Sequence, residues 1–209
     1  MIKSPANKLI LSIKPVWIKH FTDIQKIIQT EQQLNISLAE CVNIVGEVIS
    51  VPKYISPLSQ YKGYSTKDIK EGDIAIFSYD VVASLKHGEE GKDPIFQNAI
   101  YHEAKEFFLA DITSIFAVIR GEEIIMINGW VQLSEIEDSK IIVPHNFKSN
   151  KFIVSSTILN IGHSKTHLKG IDANIGDNVF FDKRKVQHYE INRKKFIITS
   201  QEKLLGKIK

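Results

Sequence analysis

The sequence predicts a mostly all-β chain made of two tandem small β-barrels, with one amphipathic helix in a loop insertion of the first. Three observations carry this reading. The stretch DIKEGDIAIF at residues 68–77 returns as DANIGDNVFF at 172–181. The neighbours return in the same order: KLILSIKPVW (8–17) beside EEIIMINGWV (122–131), VGEVISVP (45–52) beside SSTILNIG (155–162), and KEFFLADITSIFAVI (105–119) beside KKFIITSQEKLLGKI (194–208). Each block is short, rich in Ile, Val and Phe, and bounded by Gly, Asp, Asn, Ser or Pro, which is the pattern of strands separated by turns. Ordered recurrence with unequal spacing reads as an internal duplication with insertions at loops, so the expected domains are residues 1–120 and 121–209.

Taken in order, residues 8–17 open the first half as a strand. In WIKHFTDIQKIIQTEQQL (17–34), Ile18, Phe21, Ile24, Ile27 and Ile28 fall on one face at 3.6-residue spacing, which predicts a helix inside an extended loop, 17–43. Its few Lys and Arg fit packing on its own barrel better than lying on a membrane. The matching place in the second half holds SEIEDSKIIVPHNFKSNK (134–151), polar apart from one apolar triplet. Gly72 and Gly176 suit turns needing positive φ, and the Asp after each can bond local backbone. In the strand that follows, Ile74 and Ile76 alternate with Ala75 and Phe77, apolar on both faces as a closed barrel wall requires.

Composition excludes several classes. With 209 residues, 43% of them apolar, there is material for two cores, and no apolar run approaches the roughly 18 residues of a membrane helix. The opening MIKSPANKLILSIKP has no small-residue cleavage site after its apolar run, so no signal peptide is expected. The single cysteine, Cys41, can form neither an internal disulfide nor a cysteine-based zinc site, which fits a reducing cytoplasm. No phosphate-binding Gly-rich loop, nucleophile elbow or His-Glu-x-x-His signature occurs, so no catalytic residue, metal or cofactor is expected. His163, His167 and His188 lack Cys or carboxylate support and read as solvated; His102, Glu103 and Glu106 read as a polar sheet edge. The clusters at 182–185 and 192–195 read as charged hairpin flanks. Net charge is +3 but uneven: residues 1–119 carry 12 Lys/Arg against 14 Asp/Glu (−2), and residues 120–209 carry 15 against 10 (+5). That asymmetry keeps nucleic acid in view, yet the aromatics of the second half are not interleaved with its basic clusters, so a nucleic-acid partner is not expected.

The order of blocks resembles the GroES-like co-chaperonin family: an opening apolar strand, a long mobile loop, a Gly-Glu-Val strand (here residues 46–51), a Gly-Asp-x-Val-x-Phe strand (68–77 and 172–181), and a closing element (107–119 and 196–208). The likeness spans nearly the whole chain, twice. Departures are an oversized first loop, an added KHGEEGKDP segment (86–94), and Ser156-Thr157 in place of Gly-Glu. The resemblance implies a tandem co-chaperonin that is not an enzyme, acts in the cytoplasm (the host's, if phage-encoded), and caps a GroEL-type chaperonin as a ring-shaped homo-oligomer. It implies docking through apolar loop residues, here Ile141, Ile142 and Val143, with Leu34, Ile36 and Leu38 in the first half. It also implies head-to-tail subunit contacts in which Leu9, Leu11 and Ile13 face Ile115 and Ile119, or Leu204 and Ile208, of a neighbour. Independently of the resemblance, three consecutive apolar residues in a polar loop point to burial against a partner, worth ~1.5–3 kcal/mol each before ordering costs. An ordinary buried strand is the other reading of the triplet. The alternative function is structural: an assembly protein, for example of a virion, that reuses the barrel without binding a chaperonin.

Overall fold

Val, Ile and Phe crowd the short blocks, and the turn residues between them stop each run after a few positions, so strands are the main regular structure among the described residues. The computed structural model describes residues 2–14, 45–78, 80–83, 85–86, 95–96, 98–135, 152–163, 172–191 and 194–207. By compactness the chain divides into two units, Met1–Glu123 and Ile124–Lys209. The first contains β1 (Lys8–Ser12), β2 (Val45–Ser50), β3 (Ile74–Phe77), β4 (Leu85–Lys86), β5 (Ile95–Phe96), β6 (Ala99–His102), β7 (Lys105–Asp111) and β8 (Ile115–Arg120), and β9 (Glu123–Met126) follows β8 across a tight turn. Among the described residues one short α-helix, α1, covers Asp80–Ala83. The second unit continues with β10 (Trp130–Leu133), β11 (Ile153–Ile161), β12 (Asn178–Asp182), β13 (Gln187–Ile191), β14 (Lys194–Ser200) and β15 (Leu204–Lys207).

Two antiparallel sheets result. The 7-stranded sheet runs β6-β7-β1-β2-β3-β8-β9, and the 6-stranded sheet runs β13-β14-β10-β11-β12-β15; β4 and β5 pair separately. Both orders have two ends, so among the described residues neither sheet closes on itself through backbone hydrogen bonds. The fold is mostly β, as the sequence predicts. The helix expected at 17–34, and the 17–43 loop that would carry it, lie outside the described residues.

The two sheets repeat one another strand for strand: β6, β7, β1, β2, β3 and β8 occupy the places of β13, β14, β10, β11, β12 and β15. Irregularities repeat too. A bulge sits between Ile10 and Leu11 where β1 meets β2, and another between Gln132 and Leu133 where β10 meets β11. A second pair sits at Ile76/Phe77 and Phe180/Phe181. Gly72 and Gly176 have φ of 87° and 90°, the left-handed backbone expected of them. The N–H of Gly72 reaches the Val48 carbonyl at 2.8 Å, and that of Gly176 reaches the Ile158 carbonyl at 2.9 Å.

One alignment read from the sequence needs correcting. The opening block of the second half is not 122–131: the counterpart of β1 is β10, because Leu9 pairs with Ala110 in β7 as Val131 pairs with Thr199 in β14. The apolar burst at 122–126 instead belongs to β9, next to β8 in the first sheet. Each unit buries its own inward faces. Leu9, Leu11, Ile76, Phe77, Phe108 and Ile115 have no exposed surface in the first. Val131, Leu133, Ile158, Val179, Phe181 and Ile197 form a single core in the second. At roughly 1.5–3 kcal/mol per fully buried large side chain, these faces are the main stabilising term.

The β6–β7 hairpin is strained. Tyr101 pairs with Glu106 and His102 with Lys105, leaving a two-residue turn in which Glu103 and Ala104 take φ of 49° and 59°. Two-residue hairpins favour positive φ at both positions, which suits Asn-Gly, whereas other L-residues there cost about 1–2 kcal/mol each. The exposed tyrosine hydroxyl donates to Glu106 Oε1 at 2.7 Å across the pair and helps hold the turn. Glu103→Asn combined with Ala104→Gly is therefore expected to raise stability by roughly 1–2 kcal/mol. A denaturant midpoint that stays put or falls would show that the turn does not have this conformation.

Candidate partner-binding site

Between the described strands, the longest interval of sequence in each unit separates the first two repeat strands: 13–44 between β1 and β2, and 134–152 between β10 and β11. Leu34, Ile36, Leu38, Ile141, Ile142 and Val143, the docking residues expected from sequence, lie within these intervals and outside the described residues. Their roots are described, and the two are built differently. In the first unit β2 carries Gly46, where an added Cβ would meet Ile13 Cγ1 and the Ser12 carbonyl at 3.2 Å and Phe77 Cε1 at 3.3 Å. A bare Cα lets the loop base close on apolar side chains. In the second unit the same position is Ser156, only 7% exposed, and the base is polar. Ser156 Oγ donates to the Ser134 carbonyl at 2.8 Å and lies 2.8 Å from Ser134 Oγ, while the Ser134 N–H reaches the Thr157 carbonyl at 3.0 Å. Once buried, the hydroxyl must find such partners or its desolvation would destabilise the base.

The Gly-Asp turns anchor the far end of the same strands. Asp73 is 4% exposed; its Oδ2 accepts from the Lys70 N–H at 2.7 Å and from Arg120 Nη2 at 2.7 Å, and its Oδ1 accepts from Arg120 Nε at 2.9 Å. Arg120 Nη2 also donates to the Asp68 carbonyl at 3.0 Å. In the second unit Asp177 Oδ2 accepts from the Asn174 N–H at 2.9 Å and from Lys207 Nζ at 3.3 Å. Sequence reading anticipated the Asp-to-backbone bond but missed the cation. A signal was present, since a basic residue ends each closing strand, Arg120 in β8 and Lys207 in β15.

Three carboxyls are held below their ordinary range. For Asp73, burial pushes upward, but the Arg120 and Lys70 hydrogen bonds and the nearby positive charge outweigh it. Asp177 is lowered chiefly by the Asn174 N–H and then by Lys207. Asp182 is lowered to about 2 by the side-chain and backbone bonds of Arg184, whose guanidinium lies 4.0 Å over the Phe152 ring. A depressed folded-state pKa contributes stability that is present above the unfolded value and lost as pH falls through the folded one. Stability should therefore be level above pH 5 or so and fall as pH drops from about 4 toward about 2. Denaturant midpoints across that window measure it, and a flat profile would contradict the ion-paired turns.

The side chains expected at subunit contacts are placed as follows. Leu9, Leu11, Ile13 and Ile115 are buried within the first unit and Leu204 within the second; Ile119 is half-buried, and Ile208 lies outside the described residues. β1 is flanked by β2 and β7, so its backbone is already paired on both sides. The buried ones, Leu9, Leu11, Ile13, Ile115 and Leu204, serve the core of their own unit. Among the described residues, the strands that end the two large sheets and leave an edge for a neighbour are β6, β9, β13 and β15, and β15 carries Leu205 at 59% exposure. No group of three or more His, Cys, Asp or Glu among the described residues is arranged to hold a metal. No helix there is long and apolar enough to cross a membrane.

No protein-family model matches the chain, and no curated protein is significantly similar to it.

Proposed function

We propose that the chain is a tandem GroES-like co-chaperonin: two barrels of one design, assembled head to tail into a ring that caps a GroEL-type chaperonin in the cytoplasm. The single observation that carries this reading is the complete repeat of sheet order, bulges and Gly-Asp turns, with the longest interval between described strands of each unit falling between the same pair of strands. A loop held at its root by a rigid sheet can present an apolar triplet to a partner groove. A short apolar triplet makes a weak contact on its own, and repetition around a ring restores affinity through effective concentration. In this reading the ring closes by strand pairing at a free sheet edge such as that of β15, the apolar side chains of β1 being buried in their own unit.

Size-exclusion chromatography with a GroEL-type chaperonin tests it, with and without adenine nucleotide. Nucleotide-dependent co-elution is the expected result, and its absence with several chaperonins would favour the structural assembly role. Replacing Ile141, Ile142 and Val143 together by Ser is expected to abolish co-elution while leaving the melting temperature unchanged, because the burial lost is at the partner interface. If the triplet is instead a core strand, the same change costs several kcal/mol of stability and the melting temperature collapses.

A further inference from the structure

Aromatic and basic residues that are not interleaved in the second half are interleaved in the first, in the connection between β2 and β3. Residues 53–70 read KYISPLSQYKGYSTKDIK. Lys53, Lys62, Lys67 and Lys70 are all exposed, Tyr54 is 59% and Leu58 60% exposed, and Tyr61 and Tyr64 are half-buried. The one acidic residue in the stretch, Asp68, turns its carbonyl to Arg120.

This connection is pinned to the sheet. The Asn7 N–H donates to the Tyr54 carbonyl at 3.3 Å, and Asn7 Oδ1 accepts from the Ser56 N–H at 2.6 Å. The Tyr61 hydroxyl donates to Asp111 Oδ2 at 2.8 Å, while Asp111 Oδ1 takes the Thr113 N–H and hydroxyl, so both carboxylate oxygens are engaged. Asn7 and Asp111 are themselves neighbours, since the Ile112 N–H bonds the Asn7 carbonyl at 2.8 Å. Tyr54 and Tyr61 are thus held at one end of the first sheet, amid exposed lysines. The fold does not require these tyrosines: the counterpart connection, 162–177, contains no Phe, Tyr or Trp, its only rings being those of His163 and His167.

We propose that residues 53–70 form a binding surface for single-stranded nucleic acid, with Tyr54 stacking on a base and Lys53, Lys62 and Lys67 neutralising phosphates. Stacking on an exposed ring tolerates any base, and lysines along a pinned loop supply the charge a single strand needs. This goes beyond the co-chaperonin reading and does not depend on it.

Fluorescence anisotropy of a labelled oligouridylate of about 20 nucleotides, titrated with the full chain over a salt series, tests the proposal. Expected are binding at low salt, loss of about ten-fold or more in affinity with Tyr54→Ala, and retention with Tyr54→Phe. Removing Lys53 and Lys62 by Lys→Ala should flatten the logarithmic salt slope by roughly 0.7 per lysine. Lys183→Ala with Lys185→Ala, at the exposed basic turn of the second unit, should leave affinity unchanged. Absence of binding at low salt overturns the proposal. So does binding that ignores Tyr54→Ala, or that heparin, a polyanion without bases, reproduces at equal affinity, because either outcome reports charge attraction alone. Circular dichroism and melting of each variant separate a lost contact from a lost fold. Tyr54→Phe failing alongside Tyr54→Ala with the fold intact would also overturn the stacking role.

Discussion

Gly162→Ala is expected to destabilise the second unit by about 3 kcal/mol, the upper end of what overpacking a folded interior costs. A Cβ at this position would meet three backbone atoms of Ile127, its C, N and Cα, at 2.6, 2.7 and 2.8 Å. Side chains can rotate out of such a contact, but backbone cannot. The Gly162 N–H is bonded to the Trp130 carbonyl at 2.8 Å and Ile127 is 1% exposed, so neither segment is free to retreat. For a domain of about 100 residues the change should lower the melting temperature by roughly 10–20 °C. Gly121→Ala is the control. Its φ of +64° makes any side chain strained but nothing lies within 4 Å, so its loss should be about 1–2 kcal/mol. Equal melting temperatures for the Gly162 variant and the parent would show that the close approach does not exist.

Asp73→Ala should cost the first unit about 2 kcal/mol, for a different reason. The change leaves the Lys70 N–H and two donors of Arg120 without the acceptor that now receives all three. Asp73 is 4% exposed and Arg120 36%, so water recovers part of the arginine's loss while the Lys70 N–H is left without its acceptor. Asp73→Asn, which keeps the volume and one acceptor, should fall between. Asp177→Ala in the second unit should lose much less, because Asp177 is more exposed and its lysine is a single-point partner. If chemical denaturation ranks Asp177→Ala above Asp73→Ala, the role assigned to the Arg120 fork is wrong.

Much of this architecture was legible in the sequence. The pairing of 45–52 with 155–162 and of 105–119 with 194–208 matches the superposed strand order, because Gly, Asp and apolar bursts sit at fixed offsets from one another. The opening block was not legible. EIIM at 123–126 and WVQL at 130–133 are equally good short strands, and periodicity does not tell which sheet position each will take. Nor could apolarity alone say whom Leu9, Leu11 and Ile115 would face. Their burial inside their own unit depends on the strands that flank β1 and β8, and those pairings join residues far apart in sequence, Leu11 with Val48, Phe77 with Ile115 and Leu9 with Ala110. Arg120 was missed as the partner of Asp73 for the same reason: the ion pair spans 47 positions.

Two sheets of one topology on one chain are an invitation to exchange strands during folding, the characteristic error of repeat proteins. The contrast between Gly46 and Ser156 makes that exchange unfavourable. Were β11 to settle into the place of β2, the Ser156 Cβ would arrive 3.2–3.3 Å from Ile13, the Ser12 carbonyl and Phe77, where the neighbours must give way although the carbonyl could accept the hydroxyl. In the opposite exchange Gly46 would take from Ser134 Oγ the hydroxyl it now faces at 2.8 Å, leaving it the Glu135 carbonyl and the backbone N–H at the Thr157 position, each at 3.4 Å. One mispairing crowds a Cβ and the other gives up a short hydrogen bond, and so the chain biases its own strands toward their places where topology alone would not distinguish them.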